Sequence, residues 1–265
     1  MVRNQGSELK RELLESLKEL RLPTIRAEFE EVARRAQNES LSYEQYLAEL
    51  AGREREERRA NRITRLLRQS KIPAEKNLAG FKLPRLPRKV SRQLKTLLVG
   101  DFLDRAENVL VFGKSGSGKT HLLCALGQEL IRQGRTVLFC TCSLLVQELL
   151  IAKRDLKLSR VIKRLSKYDA VVIDDIGYVQ QSREEMEVLF TLLAERYERG
   201  SVLLTSNLPF SKWEQIFKDP MTTAAAIDRL VHHSVILELN VGSYRLDEAK
   251  RRKDDAPTKS SETED

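Results

Sequence analysis

Eight consecutive residues carry the clearest chemistry in the chain. Gly113, Lys114, Ser115, Gly116, Ser117, Gly118, Lys119 and Thr120 spell G-x-x-x-x-G-K-T. Glycines at that spacing let the backbone curl until successive N–H groups point at one anion. A helix opening behind them adds its partial positive charge. Lys119 then reaches the β- and γ-phosphates of a nucleotide, and the Thr120 hydroxyl holds Mg²⁺. The run sits between a strand-like stretch, NVLVF at 108–112, and a helix-like one from Lys119 to about Arg132, which is the setting the motif requires. Further along, Val171-Val172-Ile173 ends in Asp174-Asp175. An acid closing a branched apolar strand lies beside the phosphates in such a sheet. Asp174 is therefore the expected Mg²⁺ ligand, through water, and Asp175 the residue that orients or activates the attacking water. Asp-Asp-Ile-Gly is also good turn chemistry, but the loop upstream favours the functional reading. The usual guanine reader, Asn-Lys-x-Asp, is nowhere in the sequence, so the nucleotide is read as ATP.

Holding those groups in place requires a sheet. Apolar runs at 108–112, 136–141, 170–174, 201–207 and 234–239 alternate with helical stretches. One of these, SREEMEVLFTLLAERYERG, has acids in its first turn and a closing glycine. The pattern predicts a three-layer α/β domain around a five-stranded parallel sheet. Residues 7–70 ahead of it read as helix. Leu9, Leu13, Leu17 and Leu20 recur at helical spacing, Pro23 interrupts, and Ile25, Phe29 and Val32 continue an apolar face. Ser42-x-x-Gln45 has the form of a capping box opening a helix that runs to about Ser70, with Tyr46, Leu47 and Leu50 facing inward. The implied organisation is a helical domain over 1–72, a basic proline-containing linker over 73–90, an NTPase core over 91–246 and a polar, disordered tail over 247–265.

Charge is unevenly spread. Residues 1–95 hold 23 Lys and Arg against 14 Asp and Glu, whereas residues 96–265 hold 24 against 25. The excess is densest from Arg58 to Lys95, with 13 basic residues and the single acid Glu75. Arg58, Arg62 and Arg65 line one helix face, and a solvated face would interleave acids with them. Arg58, Arg59, Arg62, Arg65, Arg68 and Lys71 are the candidate contacts to a polyanion, read as DNA or RNA. A membrane surface fits less well because no bulky aromatics accompany the arginines. No stretch is apolar enough to span a bilayer, and the N-terminus lacks a signal core, so the expected location is the cytosol.

Cys124, Cys140 and Cys142 form no metal pattern and read as small core residues, the last two on one face of a strand. His121, His232 and His233 lack a third ligand at useful spacing and read as packing.

With these motifs placed, the chain from Leu9 to Leu246 resembles the IstB-type transposition helper ATPases of bacterial insertion sequences, relatives of the DnaC-type helicase loaders in the AAA+ class. The resemblance rests on FGKSGSGKTHLLCALG, AVVIDDIG, SVLLTSNLPFSKW, AAAIDRLVHHS and GSYRL. It implies that Asn207, at the end of the fourth strand, is the polar sensor touching the γ-phosphate and the attacking water. From Asn-Leu-Pro alone, a strand-end turn is the plainer reading. It also implies that Arg229 is supplied in trans to a neighbouring subunit's ATP; from the residues alone, a surface arginine paired with Asp228 is equally good. Two departures from the wider class stand out. Asp174-Asp175 replaces the commoner Asp-Glu, and only 26 residues follow Leu239, too few for the usual helical lid. Both fit the IstB branch.

Taken together, the resemblance implies an ATPase that uses ATP and Mg²⁺, forms a homo-oligomer with ATP at subunit interfaces, binds duplex DNA largely without reading sequence, and assists a separate transposase. A replicative helicase loader is the alternative, sharing the ATPase core. A metabolic P-loop kinase is disfavoured, since it would leave the basic N-terminal region unexplained.

Overall fold

The computed structural model describes residues 2–177, 182–217 and 219–244. It divides into two compact units, with the boundary between Arg65 and Leu66.

The first unit is helical: α1 Val2–Glu19, α2 Pro23–Asn38 and most of α3 Tyr43–Ser70. Leu17, Val32, Ala36 and Leu50 are its buried apolar side chains. The expected capping box is formed. The Gln45 N–H donates to Ser42 Oγ at 3.3 Å, and the Ser42 N–H donates to Gln45 Oε1 at 2.8 Å. The opening of α2 has no such residue, because Leu22 supplies no side-chain oxygen. Glu54, reaching across from α3, takes its place by accepting from the N–H groups of Thr24 (2.9 Å) and Ile25 (3.2 Å). Leu47 departs from expectation. It is 63% exposed, since Leu50 and Glu54 rather than Leu47 define the inner stripe of α3.

The second unit opens with an irregular stretch and α4 Arg88–Leu97, and then becomes a wound α/β domain. Its elements are β1 Asn108–Gly113, α5 Lys119–Arg132, β2 Val137–Thr141, α6 Cys142–Arg154, α7 Leu158–Leu165, β3 Ala170–Ile176, α8 Arg183–Arg196, β4 Ser201–Ser206, α9 Glu214–Phe217, α10 Pro220–Val231 and β5 Ser234–Leu239. All pairings are parallel, in the order β2-β3-β4-β1-β5. Alternate strand residues feed opposite faces. Leu110, Ile173 and Leu204 pack with Leu145, Leu189 and Leu193 of α6 and α8. The other face is covered by α5, whose Leu122, Leu123, Leu126 and Leu130 are fully buried. The three-layer, five-stranded parallel architecture is thus the one the alternating apolar runs imply.

Three local readings change. Cys142 opens α6 instead of extending β2, although it is buried, as is Cys124. The stretch expected to be a linker is packed against the core: Gln128 Nε2 donates to the carbonyls of Pro73 (3.0 Å) and Lys76 (3.3 Å), and α4 already begins at Arg88. His232 and His233 are exposed rather than packed, lying beside Glu198 with the Tyr197 hydroxyl 2.7 Å from His232 Nδ1. The polar tail and the boundary placed at residue 246 lie outside the described residues.

At the amino ends of β3 and β4, Arg196 is 2% exposed. Its guanidinium donates to four carbonyls: Leu165 at 2.9 Å, Tyr168 at 3.0 Å, Asp169 at 3.3 Å and Ser201 at 2.9 Å. Burial lowers its pKa to about 10, which still leaves it charged at neutral pH. Removing the guanidinium takes these four hydrogen bonds away, leaving Leu165 O and Asp169 O only the N–H groups of Tyr168 and Ser201. Arg196→Met is expected to lower the unfolding free energy by about 3–5 kcal/mol in urea titrations.

Candidate functional site

The phosphate loop owes its shape to the strand before it and the helix after it. β1 delivers the chain at Gly113, and Gly116 (φ 79°) and Gly118 (φ 95°) take the left-handed conformation that turns it into α5. Lys119 is 5% exposed. Its Nζ donates to the carbonyls of Gly113 (2.8 Å) and Lys114 (3.1 Å), which fold the side chain back over the loop. Ser117 Oγ is buried with no hydrogen-bond partner among the described residues. A buried, orphaned hydroxyl in a glycine-rich turn just before a helix is a group suited to phosphate oxygens.

The loop forms one wall of a cavity of about 490 Å³, a size suited to a nucleotide. Ser115 to Thr120 line it, with Asp175 and Asn207 from the ends of β3 and β4. The opposite wall comes from the packed stretch before α4, through Lys76, Gly80, Phe81, Lys82, Arg85 and Leu86. Val241, Gly242 and Tyr244, just beyond β5, complete it. The Tyr244 N–H donates to Gly116 O at 2.9 Å, and the Tyr244 ring lies under the cations of Lys82 (5.0 Å) and Arg85 (5.5 Å). His121 Nε2 lies 2.8 Å from Asn77 O, tying the first turn of α5 to the same wall. Nothing in the residue types before α4 marks them as a wall of this site, and the sequence reading missed them.

Behind the cavity, Asp174 is buried and does not line it. Its Oδ1 accepts from Thr205 Oγ1 at 2.7 Å. Asn207 is exposed to the cavity and follows Ser206, whose Oγ accepts from the Leu208 N–H at 3.1 Å. Leu208 O in turn accepts from Trp213 Nε1 (3.1 Å), and Trp213 is fully buried beside Phe112, Phe210 and Phe217. The SNLPFSKW string is therefore the anchor of the turn that carries Asn207.

Arg229 is not among the cavity-lining residues. Half-buried on α10, it donates to Ala225 O at 2.9 Å and stacks over Phe190 at 5.0 Å. No ion pair with Asp228 occurs among the described residues. The buried Asn108 side chain donates to Leu230 O (3.1 Å) and accepts from the Val202 N–H (2.8 Å), which fixes the end of α10 against the sheet. Arg245 lies outside the described residues.

Arg58, Arg59, Arg62 and Arg65, in the first unit, and Arg68 and Lys71, in the second, are all exposed. Arg58 is also structural, donating to Glu54 at 2.8 Å and to the Arg21 carbonyl. A second basic stretch escaped the whole-half charge count. Residues 153–167, across the α6–α7 hairpin, hold seven Lys and Arg against the single acid Asp155. The thiols are poor nucleophiles, for burial pushes Cys124 up to about 12.

The comparisons with known proteins agree with this geometry. The family described as IstB-like ATP binding protein matches residues 15–253. The chain belongs to the IstB-like ATP-binding family. It is 41% identical over 238 residues to a protein of Sinorhizobium fredii named for an insertion sequence and ATP binding, covering 89% of this chain and 80% of that one. It is 36% identical over 238 residues to a Pseudomonas aeruginosa protein named for insertion sequence IS21 and ATP binding, covering 89% of each. Among solved structures, the DnaC helicase loader superposes with a TM-score of 0.54 at 14% identity, covering 62% of this chain and 97% of that one. At that identity the likeness speaks for a shared fold alone.

Gly116 tests the cavity. A Cβ there would lie 2.2 Å from Ser243 Oγ, on a backbone that side chains rarely adopt. Gly116→Ala is expected to keep the fold by circular dichroism but to weaken binding of a fluorescent ADP analogue by roughly tenfold or more.

Proposed function

We propose that the protein is an ATP-hydrolysing helper of transposition that assembles on duplex DNA and assists a separate transposase in choosing its target. The observation that carries the reading is the convergence of the phosphate loop, Asp175 and Asn207 on one nucleotide-sized cavity, in a chain of the IstB-like family. The names of its relatives connect them to insertion sequences, which is the support for the transposition context.

In this reading the loop N–H groups and Lys119 hold the β- and γ-phosphates, and Lys119 Nζ moves from the Gly113 and Lys114 carbonyls onto them. The Thr120 hydroxyl and Asp174, through water, would hold Mg²⁺, which would supply positive charge to the phosphates. Asp175 orients the attacking water, and Asn207, which both donates and accepts, senses whether the γ-phosphate is present. Arg229 serves the ATP of a neighbouring copy, consistent with its place away from its own chain's cavity, and it must leave Phe190 and Ala225 to do so. ATP is then the bond of the oligomer and hydrolysis its release.

Arg58, Arg59, Arg62, Arg65, Arg68 and Lys71 hold the DNA backbone. Contacts of this kind position the duplex without reading it. No described helix is long and apolar enough to cross a membrane.

Sedimentation of the purified protein with random duplex DNA tests the proposal. Large DNA-bound assemblies are expected with ATP, much less with ADP, and none with Lys119→Ala. The assemblies should weaken steeply as salt rises, since phosphate contacts release counterions. If the protein ignores duplex DNA in every nucleotide state and instead captures a hexameric helicase, it is a helicase loader.

A further inference from the structure

We propose that Thr205 is a positioning residue for ATP hydrolysis, one hydroxyl that sets the geometry of both Asp174 and Asp175. The inference rests on the ATPase reading above and adds a residue to it.

β3 and β4 run in register from Ala170 opposite Ser201 to Ile173 opposite Leu204, and resume at Ile176 opposite Ser206. Between those points Asp174 and Asp175 face Thr205 alone, two residues against one, as in a β-bulge. A bulge removes a ladder partner and re-aims a side chain. Here Asp175 takes φ +61°, a left-handed conformation that costs a residue with a Cβ, and Asp175 lines the cavity.

Thr205 supplies what the bulge removes. Its Oγ1 accepts from the Asp175 N–H at 2.8 Å and donates its one proton to Asp174 Oδ1 at 2.7 Å. Thr205 is fully buried and Asp174 is 5% exposed, so water does not compete for either bond. The residues before it on β4, Val202, Leu203 and Leu204, are apolar and equally buried. Packing alone would accept valine at 205, and burying a hydroxyl is unfavourable unless it is bonded. Because threonine is β-branched, its χ1 is stiff and the backbone of β4 fixes where Oγ1 stands. Committing the proton to Oδ1 would leave Oδ2 as the Asp174 oxygen to serve a cation through water. Bonding the Asp175 N–H holds the strained turn that points the second carboxylate at the cavity. The spacing of the two acids is thereby referred to the same strand that ends in Asn207.

The test compares Thr205→Val, which keeps the shape and removes the hydroxyl, with Thr205→Ser, which keeps the hydroxyl. Three quantities are read in the full chain: affinity for a fluorescent ADP analogue in EDTA, Mn²⁺ binding to the nucleotide-loaded protein by electron paramagnetic resonance, and the Mg²⁺ dependence of ATP turnover. For Thr205→Val, Mn²⁺ affinity and turnover are expected to fall about ten- to a hundredfold, the size of effect typical for a group that orients a metal ligand. Its metal-free nucleotide affinity should match the parent's, because the phosphate loop is untouched. Thr205→Ser should restore most of both losses. If Thr205→Val does not fold, Thr205→Cys, a weak donor, replaces it. Parent-like Mn²⁺ binding and turnover in the hydroxyl-free variant overturns the role of Thr205, as does an equal loss in the serine variant, while the ATPase reading stands. A parent protein that binds no nucleotide brings down both.

Discussion

The parallel pairing of β1 with β4, and of β4 with β3, is the constraint on which the rest depends. Parallel strands end on the same edge of the sheet. The phosphate loop leaving β1, the acids closing β3 and Asn207 beyond β4 are therefore neighbours, although far apart in sequence. None of these groups is placed by local structure alone. Asn108 shows how the same sheet governs its surroundings, since its buried amide joins the start of β1 to β4 and to the end of α10. The helix carrying Arg229 is thus referenced to the strands that hold the nucleotide loop.

Much of this was legible in the sequence, and for physical reasons. Buried strands must be apolar runs, and a phosphate loop needs glycines at fixed spacing, so β1 and α5 could be read almost to the residue. The Ser42–Gln45 box was legible because it is a local interaction spanning one turn. What failed to show depends on tertiary packing. Leu47 fits a helical stripe, but the stripe that is buried lies one face over. Prolines and glycines between Pro73 and Pro87 read as a connector, because residue types mark where regular structure stops and not what an irregular segment lies against. Threonine on a strand reads as a β-former, so the bonds Thr205 makes across a bulge had no sequence signal at all. The roles proposed for Asn207 and Arg229 came from resemblance, and that for Asp175 from its place at the end of an apolar strand.

The cavity is built from both flanks of the core. The stretch before α4 and the few residues after β5 meet over the phosphate loop, joined by the Tyr244–Gly116 bond and the cations over the Tyr244 ring. α4, which links that stretch towards β1, lies along β5, with Gln93 Nε2 donating to Ile236 O at 3.4 Å. Flanking chain on both sides of the core thus encloses the cavity.

Arg196 marks a different kind of boundary. Neutral carbonyls hold its guanidinium, whereas the helical unit relies on surface ion pairs such as Arg53 with Glu28 (2.7 Å) and Glu49 (2.9 Å). Mobile ions screen exposed pairs and scarcely reach a buried clamp. The two units therefore respond unequally to their ionic surroundings. Concentrated salt weakens the ion pairs of the helical unit while the buried clamp at the amino ends of β3 and β4 keeps its bonds.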